Sequence, residues 1–424
     1  MNSKTKTSAI KEEATPAVVP RLRFPEFRRA KGWKEVALGE IADVKLGKML
    51  DKQKHTTGLL LPYLNNISVR WNEVDTSNLP QMYFDDDELD RFGLRAGDVV
   101  VCEGGEPGRS AVWDGRLPDL KFQKAIHRVR FKIPFQPRLL VLHLENLAGT
   151  TRFEKLFTGG GIKHLTGETF ARLKIPLIPC GEQQKIAECL SSVDELMAAQ
   201  VRKVDVLKTH KKGLMQQLFP SEGVTQPRLR FPEFQKAGEW VKMTFGQAAT
   251  FYNGRAYKQE ELLESGKYPV LRVGNFFTSN TWYYSDLELD ETKYCGSGDL
   301  LYAWSASFGP RVWRGEKSIY HYHIWKVVEQ PGIDRQFLFM ALENETENMK
   351  AKTTNGLGIM HITKGAIESW ESSFPTMAEQ RKISDCLTSL DNTIIAEIEK
   401  LDTLKTQKDG LMQQLFPSSD AIQL

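Results

Sequence analysis

The side chains of this 424-residue chain that could do chemistry do not assemble into a catalytic pattern. Asp85-Asp86-Asp87-Glu88, with Asp90 close behind, offers oxygen ligands to a hard cation. Adjacent carboxylates do not converge easily on one ion, and such a run reads more simply as a solvated loop. His321-Tyr322-His323 predicts two imidazoles on one face of a strand, with no third ligand spaced to complete a zinc site. A core or surface role is the simpler reading. Pro118-Asp119 with Lys121 carries part of a nuclease motif but lacks the second acidic position before the lysine. Gly47-Lys48-Met49 has neither the spacing nor the hydroxyl of a phosphate loop. Gly159-Gly160-Gly161 suits a turn better than a phosphate cradle. No Asn-Pro-Pro-Tyr or Asp-Pro-Pro-Tyr segment of amino-methyltransferases is present, nor a glycine-rich cofactor loop after a strand. The expectation is a chain with no catalytic residue, metal or cofactor of its own.

Composition agrees with a soluble globular protein: 41% hydrophobic and 26% charged residues, with no run of eighteen apolar residues to span a membrane. At this length two domains or more are expected. Residues 1–19 are polar, lack the apolar centre of a signal peptide and read as a flexible tail. Cys102, Cys180, Cys189, Cys295 and Cys386 are scattered and form no Cys-x-x-Cys pair. That disfavours a disulfide framework and fits a reducing cytoplasm. A net charge of +3 permits nucleic-acid binding without demonstrating it, because local patches carry that interaction.

The elements that position these side chains occur twice. Pro20-Arg21-Leu22-Arg23-Phe24-Pro25-Glu26-Phe27 returns unchanged as Pro227 to Phe234, an offset of 207. The same offset carries Trp33 onto Trp240, Gly47 onto Gly254 and Pro62 onto Pro269. Gly97-Asp98 answers Gly298-Asp299, and His164-Leu165-Thr166 answers His361-Ile362-Thr363. Glu182 to Pro220 aligns without a gap on Glu379 to Pro417, with more than half of the positions identical. Between these anchors the copies differ: Lys52 to Asp90 has no obvious partner in Lys258 to Asp290. The scaffold is duplicated while the surfaces on it are not. A device binding one ligand twice would keep those surfaces alike.

Short β-like runs are expected at Trp33–Val44, Asp98–Cys102, His127–Ile133, Val270–Val273, Asp299–Trp304 and Ile324–Val328. Helices are expected at Leu139–Leu147 and Gln336–Glu345. After each globule, apolar residues recur at mixed threes and fours, the spacing of a coiled-coil seam. The first set is Ile186, Leu190, Val193, Met197, Val201, Val204 and Leu207. The second is Ile383, Leu387, Leu390, Ile394, Ile398, Leu401 and Leu404. Pro220 and Pro417 stop both helices. A helix over 181–219 is roughly 55–60 Å long at about 1.5 Å per residue. Its stripe must be buried, either against its duplicate packed antiparallel, the simplest arrangement, or against its own globule.

Together these features resemble the specificity subunit of type I restriction–modification enzymes, the HsdS family. The resemblance rests on the paired Arg-Phe-Pro-Glu-Phe openings with a nearby Trp, on Gly97-Asp98 and Gly298-Asp299, and on Glu-Gln-x-x-Ile opening each long helix at Glu182 and Glu379. It covers Pro20 to Pro417. It departs where Pro179 lies three residues before Glu182 but Pro375 four before Glu379, and where Gly108-Arg109 is answered by Gly309-Pro310. The resemblance implies a mixed α/β fold: a tail (1–19), a first target-recognition domain (20–180), spacer helix (181–220), linker (221–226), second recognition domain (227–377), second spacer helix (378–417) and tail (418–424). Each domain would read one half of a split, asymmetric site on double-stranded DNA. The helices would set the gap and dock two methyltransferase subunits, with motor–nuclease subunits joining for cleavage. S-adenosylmethionine, ATP and magnesium would belong to those cytoplasmic partners. Successive major-groove faces lie about 34 Å apart on one side of DNA, within reach of two readers on such a rod.

Base edges and phosphates call for basic and amide side chains. Candidates in the first domain are Lys45, Lys48, Lys52, Arg70, Arg109, Lys124, Arg128 and Lys163. In the second they are Arg255, Lys258, Arg272, Arg311, Lys317 and Lys364. Arg109 and Arg255 follow glycine turns whose flexibility would let a side chain approach a groove. A pseudosymmetric protein-interaction scaffold without DNA binding is the competing reading, and a single-chain restriction enzyme is disfavoured by the missing motifs.

Overall fold

A computed structural model of the chain describes residues 17–49, 57–161, 163–221, 223–277, 279–305, 309–353 and 362–416. Lys52, His361, Pro417 and most of both proposed tails lie outside the described residues.

The duplication seen in the sequence is a duplication of topology. In the first half, Lys34–Ala37 pairs antiparallel with Lys174–Leu177, so the segments that enter and leave the globule close it. Val241–Thr244 and Glu371–Phe374 do the same in the second. Each half then carries a four-stranded antiparallel sheet in one order. The first runs Ala42–Leu46, Ile126–Phe131, Val99–Cys102, Ser110–Val112. The second runs Ala249–Asn253, Ile324–Glu329, Leu300–Ala303, Gly309–Val312. The run expected over Trp33–Val44 is two strands separated by a one-turn helix, Leu38–Ile41, which turns Leu38 and Ile41 into the core.

The central strand of each sheet is buried on both faces, which is why it reads as an unbroken apolar run. Val99 and Val101 pack with Leu140, Leu144 and Phe170, while Val100 and Cys102 pack with Leu64, Phe84 and Phe122. Leu300 and Tyr302 likewise face the helix side, and Leu301 and Ala303 the other. That other side is a second, smaller sheet built from the divergent segments. It is Gln81–Phe84, Leu59–Leu64, Lys121–Phe122 in the first half, and Tyr283–Ser285, Tyr268–Leu271, Ser318–Tyr320, Tyr294–Cys295 in the second. Leu59–Leu64 pairs parallel with Lys121–Phe122, and Tyr268–Leu271 parallel with Ser318–Tyr320. The divergent segments therefore correspond in fold although their sequences match at little beyond Pro62 and Pro269. Gly97 (φ +89°) and Gly298 (φ +93°) take left-handed backbone at the turn into the central strand, where a side chain would be strained. The adjoining carboxylate holds that turn. Asp98 accepts from Arg95 N at 2.7 Å and from Arg130, and Asp299 accepts from Gly296 N at 2.8 Å and Lys326 Nζ at 2.7 Å.

The repeated opening segment and the repeated Glu-Gln meet. The guanidinium of Arg23 donates to both carboxylate oxygens of Glu182 at 2.6 and 2.7 Å, and Trp33 Nε1 donates to the same group at 2.9 Å. Arg23 also caps the carbonyls of Ala30 and Lys31, so the opening loop is folded around it. Arg230, Glu379 and Trp240 repeat this joint, with Arg230 capping Ala237 and Gly238. Gln183 and Gln380 donate to the carbonyls of Ile178 and Pro375 and accept from the backbone N–H of Gln136 and Asp334.

The long helices span Cys180–Leu218 and Met377–Leu415. Contacts divide the chain into two units: residues to Gln200 together with those from Lys400, and Val201–Glu399. In the first unit, Ile186 and Leu190 pack with Met412, Leu415 and Phe416 beside Trp33, Leu139 and Leu142. In the second, Met215, Leu218 and Phe219 join a core with Trp240, Phe337, Ile383 and Leu387. Each unit thus buries the start of its own long helix against the end of the other. The expected seam position Val201 is instead 42% exposed. Among the expected seam residues Ile186, Leu190, Val204, Ile383, Leu387 and Ile394 are buried. The strict alternation of steps of four and three passes through Glu397 rather than Ile398 and through Lys408, both buried polar side chains.

Removing one partner of a buried, hydrogen-bonded charge pair costs about 3–5 kcal/mol, whereas replacing both by apolar groups does not. Arg23→Met and Glu182→Met singly are expected to lower unfolding free energy by that order in urea titrations, and the double variant by less than either. Singles that unfold at wild-type urea concentrations would remove the joint's structural role.

Candidate nucleic-acid interface

The structure separates the candidate cations into those held by the fold and those left at its surface. Lys48 is buried, donating to Tyr83 O at 2.9 Å and pairing with Glu88 under the Phe84 ring. Arg128 is buried between Asp43 (2.9 Å) and the carbonyls of Arg91 and Gly93. Both serve the fold, a role their spacing in the sequence did not reveal. Arg109 donates to Glu106 at 2.9 Å and to Asn66 O at 2.7 Å, and Arg255 lies against Glu261 at 2.7 Å. Their glycines are not flexible hinges. A Cβ at Gly108 would meet the Phe153 ring at 2.5 Å, and one at Gly254 would meet His321 O at 2.3 Å. These are points of close packing.

Arg70 pairs with Asp75, Lys163 with Glu154, Lys317 with Glu291 and Lys364 with Glu368, all at the surface. Lys258 lies 3.8 Å from Glu260. Such exposed pairs hold their cations weakly and can be exchanged for phosphates. Lys45 is half-buried on its strand opposite Arg128. Lys124 is exposed on a turn. Arg272 and Arg311 are exposed and lie on aromatic rings, Arg272 on Tyr283 and Arg311 on Phe277, each at 5.3 Å. No carboxylate among the described residues pairs with either.

One turn holds the same place in both halves. In the first, Gln123-Lys124-Ala125 links Lys121–Phe122 to Ile126–Phe131, and Gln123 is bridged to Lys48. In the second, His321-Tyr322-His323 links Ser318–Tyr320 to Ile324–Glu329, bridged through His321 to Arg255. The two histidines therefore sit on a turn and not along a strand as expected. The strand ends at Tyr320 because the backbone of the turn bonds outward: Tyr322 N donates to Arg255 O at 3.0 Å and His321 N to Leu271 O at 2.9 Å. Burial, His323 and Arg272 push the His321 imidazole down to about 4, so it is neutral at pH 7. Trp304 completes the cluster, its Nε1 donating to Tyr322 O at 2.8 Å. Tyr257 stacks on His321 at 6.3 Å, and neither it nor Trp304 is close enough in the chain for spacing alone to join it to the turn.

The acidic run is the N-terminal turn of a helix, Asp86–Arg91 capped by Asp85, and not a loop. Carboxylates there complement the helix dipole. Among the described residues no group of three His, Cys, Asp or Glu side chains could hold a metal ion. No helix of the described residues is long and apolar enough to cross a membrane. Asp119 takes positive φ in a turn, and the Lys121 ammonium donates to Leu89 O, so the nuclease-like fragment is not assembled.

Comparison with known proteins gives a consistent result. The model of the type I restriction modification DNA specificity domain matches twice, over residues 30–208 and 237–406. The type I restriction enzyme MjaVIII specificity subunit of Methanocaldococcus jannaschii is 26% identical over 275 residues, 61% of this chain and 64% of that protein. That alignment spans less than two thirds of the relative. The putative type I restriction enzyme MjaX specificity subunit of the same organism is 22% identical, covering 92% of this chain and 97% of its own length. The crystal structure of an S subunit of a type I restriction–modification system from M. genitalium shares the fold, with a TM-score of 0.54 at 18% identity over 94% of this chain and 99% of that one.

If Gly254 is there for close packing, Gly254→Ala must displace the His321 carbonyl, at about 1–3 kcal/mol for an overpacked site. Gly410→Ala, at an open helical position, is expected to be neutral or slightly stabilising. Thermal melting of the two variants checks this, and equal melting temperatures would contradict it.

Proposed function

The chain belongs to the type I restriction modification DNA specificity domain family, and from that membership we propose that it is the sequence-reading subunit of a restriction–modification complex that performs no chemistry itself. One observation carries the reading: two copies of one scaffold display different second sheets and different turns at matching positions. Like scaffolds fix a common way of docking, and unlike surfaces read unlike sequences. Each half would recognise one part of a split, asymmetric site on double-stranded DNA. Exposed cations such as Lys124, Arg272 and Arg311 suit phosphates, which position a reader without specifying sequence. The two long helices would act together as the spacer that sets the unread gap, and would dock two methyltransferase subunits. Motor–nuclease subunits would join for cleavage. S-adenosylmethionine, ATP and magnesium would be held by those partners, placing the complex in the cytoplasm. Glu182 and Glu379, each closing the entry to a helix, support a stiff connection between reader and spacer.

Two measurements check this. Sequencing of modified bases in host DNA with and without the gene is expected to show a bipartite methylated motif that depends on the gene. Loss of the gene with no change in any motif would refute the reading. Inserting four residues after Ala198 lengthens the helix by about 6 Å. It is expected to widen the gap between half-sites, and an unchanged gap would remove the helix's role as spacer.

A further inference from the structure

The turn linking the variable sheet to the constant sheet is held by backbone contacts that do not depend on its side chains. In the second half, Arg255 N donates to Tyr320 O at 3.1 Å, Tyr322 N to Arg255 O at 3.0 Å, and Trp304 N to His323 O at 3.1 Å. Gly254 lets the strand end lie directly on the turn. The first half repeats the arrangement around Gln123 and Gly47, where Lys48 N donates to Phe122 O at 3.1 Å and Lys124 N to Lys48 O at 2.8 Å. A rigid backbone at one fold position carries Gln-Lys-Ala in one head and His-Tyr-His in the other.

The second tip has a distinctive chemistry. Tyr322 and His323 rings lie 3.9 Å apart, His321 and Tyr322 4.3 Å, and Trp304 meets His323 edge-on at 4.9 Å. Tyr322 is 40% exposed. The imidazoles are held below their usual pKa by burial, so at neutral pH each offers one donor and one acceptor without charge. Arg272 lies close enough to His321 to disfavour its charge, and its own side chain is exposed and free of carboxylates among the described residues. A groove reader needs this division: cations at the rim for phosphates, neutral donors, acceptors and apolar ring faces at the tip for base edges and thymine methyls.

Resting on the function proposed above, we propose that the His321-Tyr322-His323 turn is the base-reading tip of the second head, meeting base-pair edges in the major groove while Arg272 engages a flanking phosphate. The Gln123-Lys124-Ala125 turn holds the same office in the first head. The half-sites differ because these tips differ.

The test is a graft in the full chain expressed with its methyltransferase partner: His321→Gln, Tyr322→Lys and His323→Ala together. Sequencing of methylated DNA is expected to show one half of the motif altered, with the other half and the gap unchanged. A motif unchanged in both halves, or altered in both, overturns the tip assignment. If the graft abolishes methylation, the single variants Tyr322→Ala and His323→Gln decide. Their complexes are tested for binding against duplexes of the wild-type site changed one base pair at a time. Discrimination is expected to fall about tenfold at positions in one half only, in line with the loss of one base contact. Full discrimination in both single variants overturns the proposal. A wild-type complex that neither binds nor methylates DNA sinks the parent function instead, so the two failures are told apart.

Discussion

Everything in this fold turns on a buried carboxylate. Glu182 and Glu379 open the long helices almost out of contact with water, and each is met by an arginine and a tryptophan from the segment that opens its own globule. A carboxylate in that position is unstable without partners, and an arginine fork supplies two parallel bonds in fixed geometry. The same guanidinium gathers the carbonyls of its own loop. The segment preceding the first strand, the globule and the helix are thereby locked at one point. The side-chain carbonyls of Gln183 and Gln380, accepting from the backbone N–H of Gln136 and Asp334, then tie the helix to the base of the neighbouring helix, Pro137–Leu147 or Arg335–Thr353. Each globule is thus tied to the start of its own long helix by side-chain bonds at two successive residues.

With the joint fixed, variation is free elsewhere. The central strand of each constant sheet turns alternate residues toward the helix and toward the divergent sheet. Sequence change on the far side meets only one face of that strand. Among the described residues the second sheet has three strands in the first half and four in the second, yet keeps the same parallel pairing beside the turn. Surfaces diverge while the path that places them does not.

The sequence disclosed the architecture well because duplication marks what the fold cannot change. Arg23, Trp33, Gly97, Asp98, Glu182 and Gln183 are all visible as repeats; the structure gives Gly97 a left-handed turn and each of the others a hydrogen bond. What periodicity could not show were buried polar residues. Glu397 and Lys408 occupy seam positions that a search for apolar residues skips: it takes Ile398 in place of Glu397, takes Val201 in place of the equivalent Gln200, and ends before Lys408. Charge alone could not tell Lys48 and Arg128, buried against carbonyls and carboxylates, from the exposed Arg272 and Arg311. Both facts depend on tertiary neighbours. His321-Tyr322-His323 reads as strand and is a turn for the same reason: besides the bond from Ile324 N to His321 O that closes it, its backbone bonds are to Leu271, Arg255 and Trp304, distant in the chain.

The polar seam residues carry the argument one step further. Lys408 meets Asp194 at 3.1 Å and Glu145 at 3.0 Å; Lys211 meets Asp391 at 2.8 Å and Glu343 at 3.2 Å. These are the same positions of the repeat. In each unit a lysine near the end of one long helix binds a carboxylate on the other helix and a second on the globule. A seam of aliphatic residues alone tolerates a slip by one heptad, since each new register buries similar area. A slip here would leave a largely buried ammonium without its two partly exposed carboxylate partners, and apolar contacts do not replace them. Charge at these points therefore specifies, within each unit, which turn of one long helix meets the other, a selectivity that aliphatic packing alone does not supply.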